Sequence, residues 1–239
     1  MLLKKLTDAL QFATICDEAF ILPREASKVL QILFPRLSAM KIKKGYLPLF
    51  KGIDLTRRRL PHLEASTGVK GPVVCLSAAI HGDEVTGIAV IQSIFKKLKN
   101  HPLQRGSVLA FPILNPTGFE AISRRELYAE ADLNRQFGGD ANGSTAERHA
   151  SLILSKILSA KPDYVIDLHT DSMNSIAYTV IDFSRQLKNK QVLRDSIIMA
   201  TALGFRWAID TDQTAGFPLE KCLTGQLVSQ GIPAVTVEL

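Results

Sequence analysis

Two histidines and a glutamate in this sequence have the types and spacing to hold a catalytic metal ion. His81 and Glu84 stand in the segment AAIHGDE at residues 78 to 84, with the spacing H-x-x-E, and His169 follows in VIDLHTD. The short spacing lets an imidazole and a carboxylate converge from one turn onto one point. Two histidines and one acid, with a fourth position left open, are typical of catalytic zinc sites, and this donor set favours zinc over other divalent ions.

Each of these residues on its own also has a simpler interpretation. His81 could cap a turn, and Glu84 could do no more than complement the positive end of a helix dipole. The placement favours the metal, because His81 and His169 each follow a strongly apolar segment. Open α/β sheets bind their ligands where such strands end. We therefore predict one metal site built from both segments.

The run D-L-N-R at residues 132 to 135 adds an amide and a guanidinium to these candidates. It follows the dipeptide NP at residues 115 and 116, which predicts a turn at the end of a strand, so the loop should lie over the same sheet edge. A planar guanidinium beside an amide suits bidentate capture of a carboxylate or polarisation of a carbonyl. A solvated polar loop is the alternative.

Glu238 is a further candidate, at the end of the segment IPAVTVEL. A carboxylate after an apolar strand costs free energy to bury unless it has a partner or a role. If this strand ends beside the metal, Glu238 can take a proton from water and deliver it to a leaving amine. The alternative is a solvated chain end.

Alternating strands and helices must position these residues. Apolar runs predict strands at residues 72–80, 107–115, 163–169, 207–210 and 233–239. Helical spacing predicts helices at residues 85–100, 189–203 and 220–230, and a Ser144–Glu147 capping box predicts one that runs to about Ala160. In the first helix, we expect one buried stripe formed by Val85, Ile88, Ile91, Phe95 and Leu98.

The alternation predicts an α/β fold with a mixed, largely parallel central sheet flanked by helices. Residues 24–43 have helical spacing broken by Pro35, and residues 46–63 are typical of edge strands and turns. We therefore divide the chain into an N-terminal helical and edge-strand segment, residues 1–60, packed on a catalytic domain, residues 61–239.

The composition excludes several classes of protein. The chain has 239 residues and is 46% hydrophobic, enough for a sizeable core. No apolar run reaches the roughly 18 residues of a membrane span, and acids interrupt the N-terminal apolar segment, so we expect a soluble, cytoplasmic protein. The three cysteines lie too far apart for a structural zinc or redox motif. The net charge of +6 comes from scattered residues, which predicts a solvated surface rather than binding of nucleic acid.

Five motifs together resemble the zinc carboxypeptidase superfamily, and more closely its succinylglutamate desuccinylase/aspartoacylase branch. They are H-x-x-E at 81–84, NP at 115–116, D-L-N-R at 132–135, D-L-H-T at 167–170 and T-V-E-L at 236–239. Any one of them alone is common. Their joint order and placement, from about Gly71 to the C-terminus, make the resemblance specific.

The resemblance implies a zinc site with one ion per chain. Its ligands would be His81, Glu84 and His169. Asp132 would support His81 by accepting a hydrogen bond from its other ring nitrogen. Glu238 would be the general base and acid.

The resemblance also implies how a substrate is held. Asn134 and Arg135 would bind a substrate carboxylate, and an arginine upstream would polarise the scissile carbonyl. Arg124 and Arg125 both qualify for that role, and Arg125 is preferred.

The implied activity is zinc-dependent hydrolysis of the amide bond of an N-acyl amino acid or a similar small amide with a free carboxylate. Asp83, where peptide-cleaving carboxypeptidases often have arginine, favours this over a peptide substrate. The alternatives are a metallocarboxypeptidase, a cell-wall peptide amidase and a non-catalytic metal-binding scaffold. The expected partner is a small molecule or short peptide, without nucleic acid or membrane. Relatives continue past the position of Glu238, so we expect a C-terminal portion to be missing from this chain.

Overall fold

The computed structural model describes residues 40–52, 55–172, 174–183 and 189–239. Within this part of the chain the strands are β1 Lys41–Lys51, β2 Arg57–Ser66, β3 Val73–Ala78, β4 Ser107–Phe111, β5 Tyr164–His169, β6 Tyr178–Asp182, β7 Arg206–Asp210 and β8 Ala234–Glu238. The helices are α1 Thr86–Asn100, α2 Pro116–Ala121, α3 Thr145–Ser159, α4 Lys190–Leu203, α5 Asp212–Ala215 and α6 Leu223–Ser229, with 3₁₀ turns at Leu133–Arg135 and Leu219–Lys221.

The strands form one mixed sheet in the order β1-β2-β4-β3-β5-β8-β6-β7. The centre is parallel, since β3 pairs with β4 and β5, and β5 pairs with β8. The pairs β1–β2, β2–β4 and β6–β8 are antiparallel, and β6–β7 is parallel. The prediction of a mixed, largely parallel sheet flanked by helices is confirmed.

Helices cover both faces of the sheet, and each face carries its own apolar cluster. One face packs on α1 and α4 through residues such as Ile91 and Leu203. The other packs on α3 and α6 through residues such as Ile153 and Leu227. Strands β5 and β8 present alternate side chains to these faces, as pleated strands must.

On the sheet face covered by α3 and α6, the residues near the carboxyl ends of the central strands are polar. On β5 that face carries Val165, then Asp167 and His169, while Ile166 and Leu168 lie in the apolar cluster on the opposite face. On β8 the corresponding residues are Ala234, Thr236 and Glu238. The polar residues of neighbouring strands therefore lie side by side on one face.

Helix α1 corrects one detail of the sequence interpretation. Val85 was placed in the buried stripe, but it precedes the helix as its N-cap residue and is 51% exposed, and Ile88 is only half-buried. The buried face of the helix instead begins with Gly87, where a Cβ atom would lie 2.8 Å from the Cβ atoms of Ala78 and Leu168. This close approach turns Val90 and Ile94 inward, beside the correctly predicted Ile91, Phe95 and Leu98.

The capping box before α3 forms as predicted. The Ser144 hydroxyl accepts a hydrogen bond from the backbone of Glu147, and the Glu147 carboxylate accepts one from the backbone of Ser144. The helix predicted at residues 220–230 is shorter, because a 3₁₀ turn precedes α6.

The N-terminal prediction is tested only in part. The helical spacing assigned to residues 24–43 lies mostly outside the described residues, and residues 41–43 belong to strand β1 instead. The boundary placed after residue 60 falls inside β2, and the division into two segments stays a prediction. No helix among the described residues is long and apolar enough to span a bilayer.

Candidate active site

His81, Glu84 and His169 converge at the carboxyl ends of β3 and β5. One ligand atom from each of the three lies within 4.8 Å of the others. The Nδ1 atom of His81 lies 2.6 Å from Glu84 Oε1, and the Nδ1 atom of His169 lies 2.9 Å from Glu84 Oε2. Both histidines are buried, and Glu84 is largely so. The three side chains thus form a group that can hold a metal ion.

The loop after β3 brings His81 and Glu84 together. Glu84 donates its backbone N–H to the carbonyl of His81, which closes the turn between them, and Gly82 donates its N–H to Ser123 O. A Cβ atom at Gly82 would lie 2.0 Å from the carbonyl carbon of Gly118, so only glycine fits where this loop meets α2. Glu84 is also held at its far oxygen, which accepts a hydrogen bond from the backbone N–H of Thr170.

The second ring nitrogen of each histidine faces another carboxylate. His81 Nε2 lies 3.1 Å from Asp132 Oδ1, and His169 Nε2 lies 3.0 Å from Asp167 Oδ2. Asp167 is fully buried, and its Oδ1 atom accepts a hydrogen bond from the Ser77 hydroxyl at 2.6 Å. Asp132 was expected beside His81, whereas Asp167 was not identified from the sequence. The D-x-H spacing on one strand was the available signal, because alternate residues share a face.

Electrostatics within this group favour the charged forms. Burial would lower the pKa of His169, but Asp167 and Glu84 raise it well above its ordinary value. Burial likewise opposes charge on His81, yet its hydrogen bonds with Asp132 and Glu84 raise its pKa. Burial would raise the pKa of Glu84, and the two histidines reverse this and lower it. Without a metal, Glu84 and the two aspartates therefore favour protonated imidazoles, and a metal ion bound here would replace the Nδ1 protons.

The donor set fits a divalent metal ion. The Nδ1 atoms of His81 and His169 both point to the Glu84 carboxylate. Each Nε2 atom faces an aspartate, which would accept a hydrogen bond from the ring and so keep the ring proton on Nε2. Ligand histidines usually donate their remaining N–H to a carboxylate or carbonyl in this way. Two imidazoles and one carboxylate match catalytic zinc sites in ligand type and number.

The structure corrects the choice between the two adjacent arginines. Arg124 lines the pocket, with its guanidinium 3.0 Å from Asp132 Oδ2 and 3.5 Å from Glu84 Oε1. Arg125, the residue preferred from the sequence, instead donates a hydrogen bond to the carbonyl of Glu130. The two side chains diverge at the Ser123–Arg125 turn, so only Arg124 faces the metal group.

Asn134 and Arg135 lie in the same pocket, on the 3₁₀ turn that follows Asp132. The Asn134 amide oxygen accepts a hydrogen bond from the backbone N–H of Leu223, which ties this turn to α6. The Arg135 guanidinium stacks on Phe217, with its Cζ atom 3.6 Å from the ring centre. Arg135 also donates a hydrogen bond from Nη1 to the carbonyl of Asn134, and the two contacts hold its guanidinium in the pocket.

Glu238 ends β8 beside His169, its register partner on β5, and Tyr178, its partner on β6. Burial raises the pKa of Glu238, and nearby carboxylates add to the effect. Burial also raises the pKa of Tyr178 to about 12, helped by Glu238 and Asp171. The Tyr178 hydroxyl donates a hydrogen bond to Asp171.

One cavity of about 290 Å³ joins these residues. Its lining also includes further polar residues, on β6, β7 and β8 and directly before α6. They are Asp182, Asp210, Thr236 and Cys222. Thr236 begins the T-V-E-L motif, but no motif marks the other three, because they come together only when separate elements pack.

Comparison with known proteins agrees with the motifs. A family model described as the succinylglutamate desuccinylase/aspartoacylase catalytic domain matches residues 70–239. The N-alpha-acetyl-L-2,4-diaminobutyric acid deacetylase of Halomonas elongata is 31% identical over 142 residues, which cover 59% of this chain and 40% of the deacetylase.

Two solved structures share the fold. A succinylglutamate desuccinylase/aspartoacylase from Rhodobacter sphaeroides superposes with a TM-score of 0.70 at 22% identity, over 86% of this chain and 59% of that one. A metallo-carboxypeptidase from Burkholderia cenocepacia gives a TM-score of 0.61 at 16% identity, over 91% of this chain and 60% of that one. The chain therefore spans 40% of the deacetylase and about 60% of the two solved structures.

Proposed function

The chain belongs to the succinylglutamate desuccinylase/aspartoacylase family, and from this we propose that it is a zinc-dependent hydrolase that cleaves the amide bond of an N-acyl amino acid. The observation that carries the proposal is the convergence of His81, Glu84 and His169 on one point of a pocket. The same pocket holds Glu238, a half-buried candidate for the general base, and Arg135, whose guanidinium can bind a carboxylate. The similarity to a deacetylase that acts on an acetylated amino acid supports the substrate class.

In this proposal His81, Glu84 and His169 hold the zinc ion. When bound there, zinc supplies Lewis acidity, which acidifies water and polarises the scissile carbonyl. Asp132 and Asp167 orient the two imidazoles by accepting hydrogen bonds from their Nε2–H groups. Each histidine then presents the Nδ1 lone pair to the site.

The remaining residues handle protons and charge. Glu238 takes a proton from the attacking water and delivers it to the departing amine, a task suited to a carboxylate whose pKa burial has raised. Arg124 stabilises the negative charge that develops on the carbonyl oxygen. Arg135, with Asn134 beside it, binds the carboxylate of the substrate.

A metallocarboxypeptidase is the second candidate, and the fold shared with the Burkholderia cenocepacia protein favours it. Both activities use the same metal ligands and the same carboxylate-binding arginine, and they differ in the group on the scissile amide.

A substrate panel of N-acetyl and N-succinyl amino acids beside dipeptides and short peptides, assayed after zinc loading, separates the two activities. Faster hydrolysis of the N-acyl amino acids supports the proposal, a preference for peptides supports the carboxypeptidase, and no turnover at full zinc occupancy supports a non-catalytic scaffold. The cytoplasmic location stays a prediction.

Arg124 and Arg125 offer a matched test of the pocket assignment. Arg124→Ala is expected to lower kcat by about 10²- to 10³-fold, because it removes a donor at the developing oxyanion. Arg125→Ala should stay within a few fold of the parent enzyme, since its side chain faces Glu130. Steady-state kinetics on one N-acyl amino acid compare the two. A larger loss in Arg125→Ala would contradict the assignment.

Asp167 is expected to control metal affinity through His169. Asp167→Asn should weaken zinc binding by roughly 10- to 100-fold, because an amide accepts the Nε2 proton less strongly than a carboxylate does. Ser77→Ala, which removes only the hydroxyl that holds Asp167, should have a smaller effect in the same direction. Competition with a zinc chelator measures both affinities. Equal affinity in Asp167→Asn and the parent would show that this contact does not orient His169.

A further inference from the structure

The pocket carries two carboxylates that the proposed chemistry does not use. Asp182 and Asp210 end the neighbouring strands β6 and β7, are register partners, and both line the pocket. Tyr178, which lies beside Glu238, stands four residues before Asp182, so about 13 Å of strand separates their Cα atoms at roughly 3.3 Å per residue. The pocket therefore has a reacting end at Glu238 and a second end at Asp182.

Asp182 is buried at the end of β6, and no lysine or arginine of the described residues lies against it. It is only 6% exposed, and no lysine or arginine among the described residues forms an ion pair with it or with Asp210. The arginines that line the described part of the pocket are Arg124 and Arg135, and they contact Asp132, Glu84, Asn134 and Phe217 instead. Buried carboxylates are normally paired, and a cationic group on a substrate in this pocket would supply such a partner.

Hydrogen bonds around Asp182 leave acceptors facing the cavity. The Thr224 hydroxyl donates to Oδ2 of Asp182, and no described residue donates to Oδ1. The Cys222 thiol lies 3.3 Å from the same Oδ2 and 2.9 Å from the carbonyl oxygen of Leu219. Because Thr224 uses its proton on Asp182, the contact between Thr224 and Thr236 must be a donation from Thr236. Thr236, which lines the pocket, then offers only lone pairs to a ligand. Carboxylate and hydroxyl acceptors together suit an ammonium group, which only donates.

The carboxylate-binding side lies close to this cluster. The Asn134 amide oxygen accepts a hydrogen bond from the backbone N–H of Leu223, between Cys222 and Thr224. A substrate whose carboxylate meets Arg135 can therefore extend its side chain along β6 toward Asp182. A second carboxylate on that side chain would meet Asp182 and Asp210 and be repelled.

We propose that this pocket selects N-acyl amino acids whose side chain ends in an ammonium group, with Asp182 as the residue that recognises the ammonium. The inference rests on the proposed function and adds the substrate's charge to it. Burial raises the pKa of Asp182. An ammonium beside the carboxylate would favour its ionised form and so strengthen the contact.

The test compares substrates that differ only in charge. Nα-acetylornithine and Nα-acetylnorleucine have side chains of the same length, with a terminal ammonium in one and a methyl group in the other. The zinc-loaded protein is expected to prefer the ornithine compound by about 10- to 100-fold in kcat/KM, the ratio expected for one charged hydrogen bond. Nα-acetyl-2,4-diaminobutyrate and Nα-acetyllysine, whose side chains are shorter and longer, show which side-chain length the pocket prefers. Nα-acetylglutamate should be the poorest substrate.

Variants then locate the preference. Asp182→Asn should reduce the ratio between the ornithine and norleucine compounds to near one, and Asp210→Asn should reduce it less. Asp140→Asn, at an exposed carboxylate outside the pocket, should leave the ratio unchanged. The ratio cancels any general loss of activity or folding that a variant shares between the two substrates.

The outcomes separate this inference from the proposed function. Hydrolysis with an equal or reversed preference overturns the inference and leaves the proposed function standing. No hydrolysis of any compound overturns the proposed function. In that case calorimetry with free ornithine and norleucine still tests the charge preference, and equal binding of the two would overturn the inference as well.

Discussion

Replacing Glu238 by glutamine is expected to lower kcat by about 10²- to 10⁴-fold while the zinc content stays unchanged. Glutamine keeps the size of the side chain but cannot take a proton from water. Glu238 lies at the end of β8 beside His169 and is not one of the three grouped metal ligands, so the metal should remain bound. Steady-state kinetics and elemental analysis of the same preparation measure the two quantities.

Glu120→Gln is a matched control, since Glu120 is exposed on α2. It should retain the activity of the parent enzyme. A Glu238→Gln protein that keeps full zinc and loses less than tenfold in kcat would exclude Glu238 as the general base. Arg124 and Tyr178 would then be the pocket residues to examine next.

The same substitution should change how stability depends on pH. Burial holds the pKa of Glu238 above its ordinary value, so the folded chain binds this proton more tightly than the unfolded chain. The resulting stability is present below the unfolded pKa of about 4.3 and is lost as pH rises through the higher folded pKa. Glutamine does not titrate. The Tm of metal-free Glu238→Gln relative to the parent should therefore increase from pH 4 to about pH 7.

Replacing His169 by alanine is expected to remove zinc and hydrolysis together. The parent chain should bind about one zinc ion, and the variant should bind almost none at equal protein and zinc concentrations, because only one imidazole and one carboxylate remain. Zinc should increase the Tm of the parent but not that of the variant, because a ligand stabilises a folded protein only when it binds to it. Elemental analysis and thermal unfolding with and without zinc measure both effects.

His101→Ala is the control for this experiment, because His101 is exposed at the end of α1, far along the helix from Glu84. It should keep one zinc ion and the zinc-dependent increase in Tm. If His169→Ala does not fold, Glu84→Gln removes the shared carboxylate with less loss of packing. Full zinc occupancy in a folded His169→Ala or Glu84→Gln protein would contradict the metal site.

Local patterns in the sequence determined the elements and the family. The apolar strands that became β3, β5 and β8, and the capping box at Ser144, depend on residues close together in the chain. The family predicted from the five motifs is confirmed. His81, His169 and Glu238 could be proposed as site residues because each stands at the end of a recognisable apolar run, and Glu84 because of its spacing from His81.

Packing between distant segments decided the rest. The choice of Arg124 over Arg125 depends on which way a short turn faces, and two adjacent residues of one type carry no pattern that distinguishes them. The inward turn of α1 depends on how closely Gly87 approaches the sheet. The contact of Asp182 with Thr224 joins residues 42 positions apart. Such features arise from register and side-chain contacts across the sheet, so only the tertiary structure determines them.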